Sequence, residues 1–210
     1  MIRFLHTHEL VRFPVLARTM FQDRAQQFRD RLRWPVSVDA QGRERDEYDD
    51  CNPLYVIWQN PDGSHGGSLR LLPTTGRVMV NEVFSDLLPD GPIRDGRIWE
   101  CTRFCLAPDA GGAVAAALMQ AGGEVMRHCG VDRFVGVFDA PMVRVYSRIG
   151  SRPKILGQSG RGRAAIGVGL WRYSEATRAA LEARSGINAE HMTGWFQASV
   201  LSGENDIAVA

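Results

Sequence analysis

Residues 99–108, WECTRFCLAP, set an acid and a base inside a run otherwise made of strand-forming and apolar residues. With Gly96 before it and Pro108 closing it, the run reads as a buried central β-strand. Charged side chains are rarely buried without partners, so Glu100 and Arg103 each demand a counter-group. Residues three apart on a regular strand face opposite sides of a sheet. The two therefore share one cleft only if a bulge intervenes; otherwise they serve different faces. A structural ion pair is the plainer reading, and the charges available upstream decide whether there is more.

Upstream, residues 8–33 read as helical, broken or initiated at Pro14. Phe21, Arg24, Phe28 and Leu32 fall on one helical face. Arg24 either lays its stem on the core with its head in water or holds a cation over a cleft beside Phe28. Pro35 disfavours helix at the residue before it, so the segment should end near Trp34. Residues 39–51, DAQGRERDEYDDC, carry Glu44, Asp46, Glu47, Asp49 and Asp50. Such a run is ordinarily a solvated loop. Here Arg24, Arg70 and Arg103 all sit in apolar surroundings, and Asp46 and Asp49 are candidates to hold them through forked arginine–carboxylate bonds.

Residues 54–59 (LYVIWQ) and 67–72 (GSLRLL) read as a hairpin around the Asn60-Pro61-Asp62-Gly63 turn, with Arg70 on its second arm. Residues 80–97 suggest a short helix and a loop able to act as a lid. Beyond the central strand the pattern predicts a helix over 110–129, weakened by Gly122-Gly123, and a buried strand over 134–138. A helix over 142–149 stopped by Gly150 follows, then strands at 155–156 and 164–173. A helix over 174–185, N-capped by Ser174, completes the series. The layout is α/β: a mixed central sheet flanked by helices on both faces.

Bulk properties narrow the class. The 210 residues suit one domain, and 44% hydrophobic with 23% charged residues is ordinary for a globular protein. A formal net charge of +1 argues against bulk attraction to nucleic acid or membrane. No apolar run approaches the roughly 18 residues of a membrane span, and no signal-peptide core opens the chain, so a cytoplasmic location is expected. Cys51, Cys101, Cys105 and Cys129 lack the C-x-x-C spacing and are expected to be reduced core thiols rather than zinc ligands. Lys154 is the single lysine, so anion recognition here must rely on guanidinium groups. Arg144, Arg148, Arg152, Lys154, Arg161 and Arg163 form a stretch without an acid. It is either a solvated basic surface or a docking patch for an acidic donor, with Arg144, Arg148 and Arg152 on one face if the helix continues past Gly150.

Taken together, Arg24, Phe28, Trp34, Asp46, Asp49, Arg70, Glu100 and Arg103, with DEYDD, GSLRLLPTTG and WECTRF around them, resemble the acyl-homoserine-lactone synthases. These are the LuxI-type autoinducer synthases of quorum sensing. The specific likeness lies within residues 24–108. The resemblance implies a GNAT-like three-layer sandwich with a V-shaped cleft; the chain itself reads as one domain over 1–210, its last residues, 201–210, looking like a frayed tail. The resemblance further implies acyl transfer from acyl carrier protein or acyl-CoA to the amine of S-adenosylmethionine. Lactonisation then releases methylthioadenosine and an N-acyl-homoserine lactone. S-adenosylmethionine is a substrate, and neither cofactor nor metal is implied.

By the same resemblance Glu100, Arg103 and Arg70 are the catalytic candidates. Arg24, Phe28, Trp34, Asp46, Asp49 and Thr102 are expected to hold substrate, Thr102 standing where the family often has serine. Members that prefer 3-oxo chains often carry a threonine near the end of the strand matching 134–138. Here Val137, Phe138, Asp139 and Ala140 offer no hydroxyl, and an inward Phe138 would shorten the pocket. That combination predicts an acyl group without a 3-oxo substituent. The rivals are a GNAT-type acyltransferase acting on another amine and a non-catalytic module of the same fold. The first normally carries a Q/R-x-x-G-x-G/A loop, where this chain has Pro108-Asp109-Ala110-Gly111-Gly112.

Overall fold

The computed structural model describes residues 1–201. Among them the strands are β1 (Ile2–His6), β2 (Leu54–Gln59), β3 (His65–Pro73), β4 (Ile98–Leu106), β5 (Arg133–Asp139), β6 (Lys154–Ser159) and β7 (Ile166–Arg172). They form one sheet in the order β1-β2-β3-β4-β5-β7-β6. Every neighbouring pair is antiparallel except β4 and β5, which run parallel. The helices are α1 (Pro14–Ala25), α2 (Met79–Glu82), α3 (Gly112–His128), α4 (Ala140–Ile149), α5 (Glu175–Ser185) and α6 (Ala189–Leu201). No helix among the described residues is long and apolar enough to cross a membrane.

Alternation along the strands sorts two cores. One face buries Phe4, Val56, Leu71, Trp99, Phe134 and Trp171 with residues of α3, α5 and α6. The other face carries two smaller clusters, Tyr55 and Ile57 under α1 and Leu72, Ile98 and Val135 under α2. The mixed sheet with helices on both faces is therefore as expected.

Two irregularities of β4 position the site. Its pairing with β5 covers only Ile98, Glu100 and the residue between them, so the two strands separate beyond Glu100. Its pairing with β3 carries a bulge: Ser68 faces Cys105 and Arg70 faces Thr102, leaving Leu69 opposite both Arg103 and Phe104. Arg103 takes a left-handed backbone (φ 51°), which costs about 1–3 kcal/mol in a non-glycine residue. The bulge turns Arg103 onto the face of Glu100 and Thr102, resolving the question that the strand's spacing left open.

Elsewhere the sequence reading needs correction. The continuous helix over 8–33 is three windings: a 3₁₀ turn at Thr7–Arg12, α1 begun by Pro14, and a wide π turn at Gln26–Arg31. There the Leu32 N–H reaches back five residues to the Gln27 carbonyl (3.0 Å), re-aiming Phe28 relative to a regular helix. Helix α3 runs unbroken through Gly122, where a Cβ would press the Phe134 ring at 3.2 Å, so the glycine serves close packing. Helix α4 stops at Gly150 (φ 83°) and does not carry Arg152 onto its face. Ser174 caps α5 as expected, its Oγ accepting the Thr177 N–H.

Strand β1 and helix α6 were not anticipated, and the expected tail beyond Leu201 lies outside the described residues. Cys105 and Cys129 are buried thiols, but Cys101 is half-buried and Cys51 exposed, so the core placement fails for Cys51.

Candidate active site

Three arginines and three carboxylates form a lattice on the α1 face of the sheet. Arg24 comes from α1, Arg70 from β3 and Arg103 from the β4 bulge, while residues 44–49 supply Glu44, Asp46 and Asp49. Arg24 forks onto Asp49 (3.0 and 2.9 Å) and donates its Nε to Glu44 (2.6 Å). Arg70 grips both oxygens of Asp46, reaches Asp49 Oδ1 at 2.7 Å and donates its Nε to Thr102 Oγ1 at 3.1 Å. Arg103 binds Glu44 (3.0 Å) and Asp46 (2.6 Å). The Tyr55 hydroxyl adds a short bond to Asp49 (2.5 Å).

The loop that brings the carboxylates is itself a box: Asp46 accepts the Asp49 N–H and Asp49 accepts the Asp46 N–H. Arg24, Arg70, Glu44 and Asp49 are almost fully buried. Burial alone would raise the Asp49 carboxyl, but Arg24 and Arg70 outweigh it and hold it well below the usual range. Asp46 is likewise lowered, its burial overcome by Arg70 and then Arg103. Of the readings weighed for Arg24, neither holds: its head is buried, and it lies over Phe21, while Arg103 lies over Phe28 (5.3 Å).

Glu100 stands apart from this lattice, and the counter-groups that its burial demands are not charged side chains. Its two oxygens accept the backbone N–H groups of Met79 (3.1 Å) and Val80 (2.5 Å), at the start of α2. Burial raises its carboxyl to about 7, the two N–H bonds and Arg70 pulling only part of the way back. A carboxylate poised there is suited to accept a proton near neutral pH.

A cavity of about 610 Å³ runs through the gap between β4 and β5. On the lattice side it is lined by Phe28, Trp34, Met79, Thr102 and Arg103. Phe28 and Trp34 stack there, centroids 5.3 Å apart at 11°. On the opposite face the cavity is lined by Cys101, Met126, Phe134, Phe138, Tyr146 and Trp171. Phe138 does point inward, edge-on to Tyr146 and Trp171. The arginines at 144, 148, 152, 161 and 163 and Lys154 are all exposed, outside the lattice.

Sequence reasoning missed Glu44, which links Arg24 to Arg103. It stood in the same acidic run, but nothing in its spacing set it above Glu47 or Asp50. It also missed Tyr55 and the amides of Met79 and Val80, which no side-chain pattern reveals.

The chain matches the family model described as autoinducer synthase over residues 9–177. It is 46% identical over 160 residues to an acyl-homoserine-lactone synthase of Rhizobium etli, covering 72% of this chain and 74% of that one. Its fold superposes on a CoA-dependent acyl-homoserine lactone synthase, BjaI, solved with SAM and isopentyl-CoA. There the TM-score is 0.79 at 24% identity, over 90% of each chain. It also superposes on TofI, solved with an inhibitor and MTA, with TM-score 0.68 at 28% identity over 79% of this chain and 89% of that one.

Proposed function

The chain belongs to the autoinducer synthase family, the acyl-homoserine-lactone synthases, and on that premise we propose how its own residues carry the reaction. S-adenosylmethionine occupies the lattice side of the cavity and an acyl thioester enters through the gap between β4 and β5. Glu100 takes a proton from the substrate amine, directly or through one water, and the amine attacks the thioester carbonyl. The thiolate of the donor leaves. The oxyanion formed on the way meets backbone N–H groups of β4 beyond Glu100, where β5 no longer pairs with them. The substrate carboxylate then displaces methylthioadenosine from its own γ-carbon, closing the lactone.

The observation that carries this reading is the gap itself. It joins a chamber lined by Phe28, Trp34, Thr102 and Arg103 to an apolar chamber, and the strands part just beyond Glu100, which is buried and lies outside the cavity's lining. Arg103 and Arg70, steadied by Glu44, Asp46 and Asp49, orient the substrate carboxylate. Phe28 and Trp34 face the sulfonium, a cation–π contact of about 0.5–2 kcal/mol. Arg24 braces the carboxylates from behind. The acyl chain lies against Phe134, Phe138 and Trp171. BjaI, which shares this fold, was solved with SAM and isopentyl-CoA, and a site for both classes of molecule in one such fold supports the reading.

We assign the enzyme to the cytoplasm, where both substrates are made, and read 1–210 as one synthase domain. The donor is carried by acyl carrier protein or by CoA, both of which present phosphate or acidic groups to the exposed arginines of α4 and the segment after it. Purified protein incubated with S-adenosylmethionine and each donor class tests the proposal. Methylthioadenosine and lactone should appear together with one class; free thiol without methylthioadenosine indicates an acyltransferase for another amine, and neither product a binding module.

A further inference from the structure

Helix α2 has four residues, too few to hold itself, since helix nucleation is unfavourable until tertiary contacts supply the difference. Yet it supplies both N–H groups that grip Glu100. Its other end is caught from outside. Glu82 accepts the Tyr48 hydroxyl at 3.0 Å and both arms of Arg77 at 2.9 and 2.8 Å. The Arg77 guanidinium lies over the Tyr48 ring (5.4 Å), and that of Arg70 is 5.7 Å from the same ring. Tyr48 is buried and sits between Asp46 and Asp49, the carboxylates that hold Arg70.

We propose that Tyr48, Glu82 and Arg77 are positioning residues, a clamp that ties α2 to the ion-pair lattice so that its amides hold Glu100 in its charged form. This rests on the reading of Glu100 as the base. The clamp touches neither the substrate chambers nor the reacting atoms. It acts through two backbone donors, which favour the ionised carboxylate and so work against the effect of burial. The other charged or titratable groups that face Glu100 are Arg70 on β3, Asp46 and Tyr48 from the acidic segment, and the adjacent Cys101 on β4, whose thiol is pushed up to about 12 by burial and then by Glu100 and so stays neutral. The lattice keeps Arg70 and Asp46 charged throughout the working range. Tyr48 stays protonated, its hydroxyl raised by burial and then by Glu82. What the clamp changes is therefore the donor pair.

The sign is fixed by this arrangement. Loosening α2 weakens bonds to the charged form, so Glu100 holds its proton to higher pH and the acid limb of kcat/KM moves upward. The test is the pH profile of kcat/KM for S-adenosylmethionine in the wild type, Tyr48→Phe, Glu82→Ala and the double variant, with Glu100→Gln alongside. Tyr48→Phe keeps the ring, and Glu82 is partly exposed, so neither change threatens the fold. Each single variant should raise the acid limb by about half a pH unit or more, and the double variant by no more than the larger single shift. A part played only in stability would lower the rate at every pH without moving the limb. An inactive Glu100→Gln together with unmoved limbs in both single variants would overturn the clamp while sparing the base. Near-normal turnover in Glu100→Gln would overturn the base, and the clamp with it.

Discussion

Replacing Glu100 by glutamine should cost nearly all activity while making the protein more stable in alkaline solution. The carboxyl titrates at 4.5 when unperturbed and is raised to about 7 in the folded protein. Between those values the folded state keeps a proton that the unfolded chain has lost, so wild-type stability falls as pH rises through the window. The gap corresponds to about 3 kcal/mol. Neutral Glu100 and glutamine are near isosteres, each offering one carbonyl to the Met79 and Val80 amides, so the two proteins should be similarly stable near pH 4.5. By pH 8.5 the Glu100→Gln variant should lead by up to about 3 kcal/mol, less whatever relaxation and water entry recover. Other groups titrate alike in both proteins and cancel. Urea unfolding at the two pH values measures the difference, and methylthioadenosine release measures turnover, expected to fall about 10²- to 10⁴-fold. A stability difference that does not widen with pH would mean that the carboxyl is not desolvated as described.

Arg103→Ala or Glu44→Gln should lower stability by about 3 kcal/mol, since each leaves a buried partner poorly compensated, and should abolish turnover; unchanged urea midpoints would show that the lattice is not structural. The Michaelis constant for the acyl donor should rise with salt as the Debye length falls from about 10 Å at 0.1 M to about 3 Å at 1 M, and rise again in Arg148→Glu. Indifference to both would remove the arginines from docking. Products should lack a 3-oxo group, because β5 offers it no hydroxyl and an unpaired buried oxygen costs about 1–3 kcal/mol; Phe138→Thr should raise the use of 3-oxo donors about tenfold. A wild type that makes mainly 3-oxo-acyl-homoserine lactone would refute this.

Most of the lattice was legible because charge in an apolar context is a demand that the sequence must meet nearby. Arg24, Arg70 and Arg103 announced themselves by their neighbours, and Asp46 and Asp49 by being the available counter-charges. Glu44 was visible only as one of six acids in residues 39–51, since which member of a loop turns inward depends on the Asp46–Asp49 box and not on composition. The β4 bulge could be posed as a question but not answered, because the extra residue shows only in the pairing with β3. The partners of Glu100 could not be named for a related reason: they are backbone amides, which almost every residue possesses. Helix α6 escaped because its buried Met192 and Phe196 lie on either side of Gly194, in a stretch whose remaining residues are mostly polar or small.

The lattice and Glu100 divide the electrostatic work in a way that neither accomplishes alone. Three arginines against three carboxylates leave no net charge, so the lattice gains rigidity rather than attraction. Its bonds fix where the Arg103 guanidinium presents an edge to the cavity, and they offset the strained backbone of Arg103, which faces this side only because of the bulge. Within the array Asp46 and Asp49 are held low and Arg24 and Arg70 are held high, so these four stay charged at any working pH. Glu100 needs the opposite property. It must gain and lose a proton in each cycle, so it is kept off the arginines and on two neutral donors, with burial lifting it to about 7. A direct arginine partner would pull its carboxyl down with the others and leave it too weak a base. Both are reached from one strand because β4 stops pairing with β5 at Glu100 and bulges at Arg103, three residues on. Moving either irregularity by one residue would turn the base or the guanidinium onto the apolar face, where nothing stands to balance it.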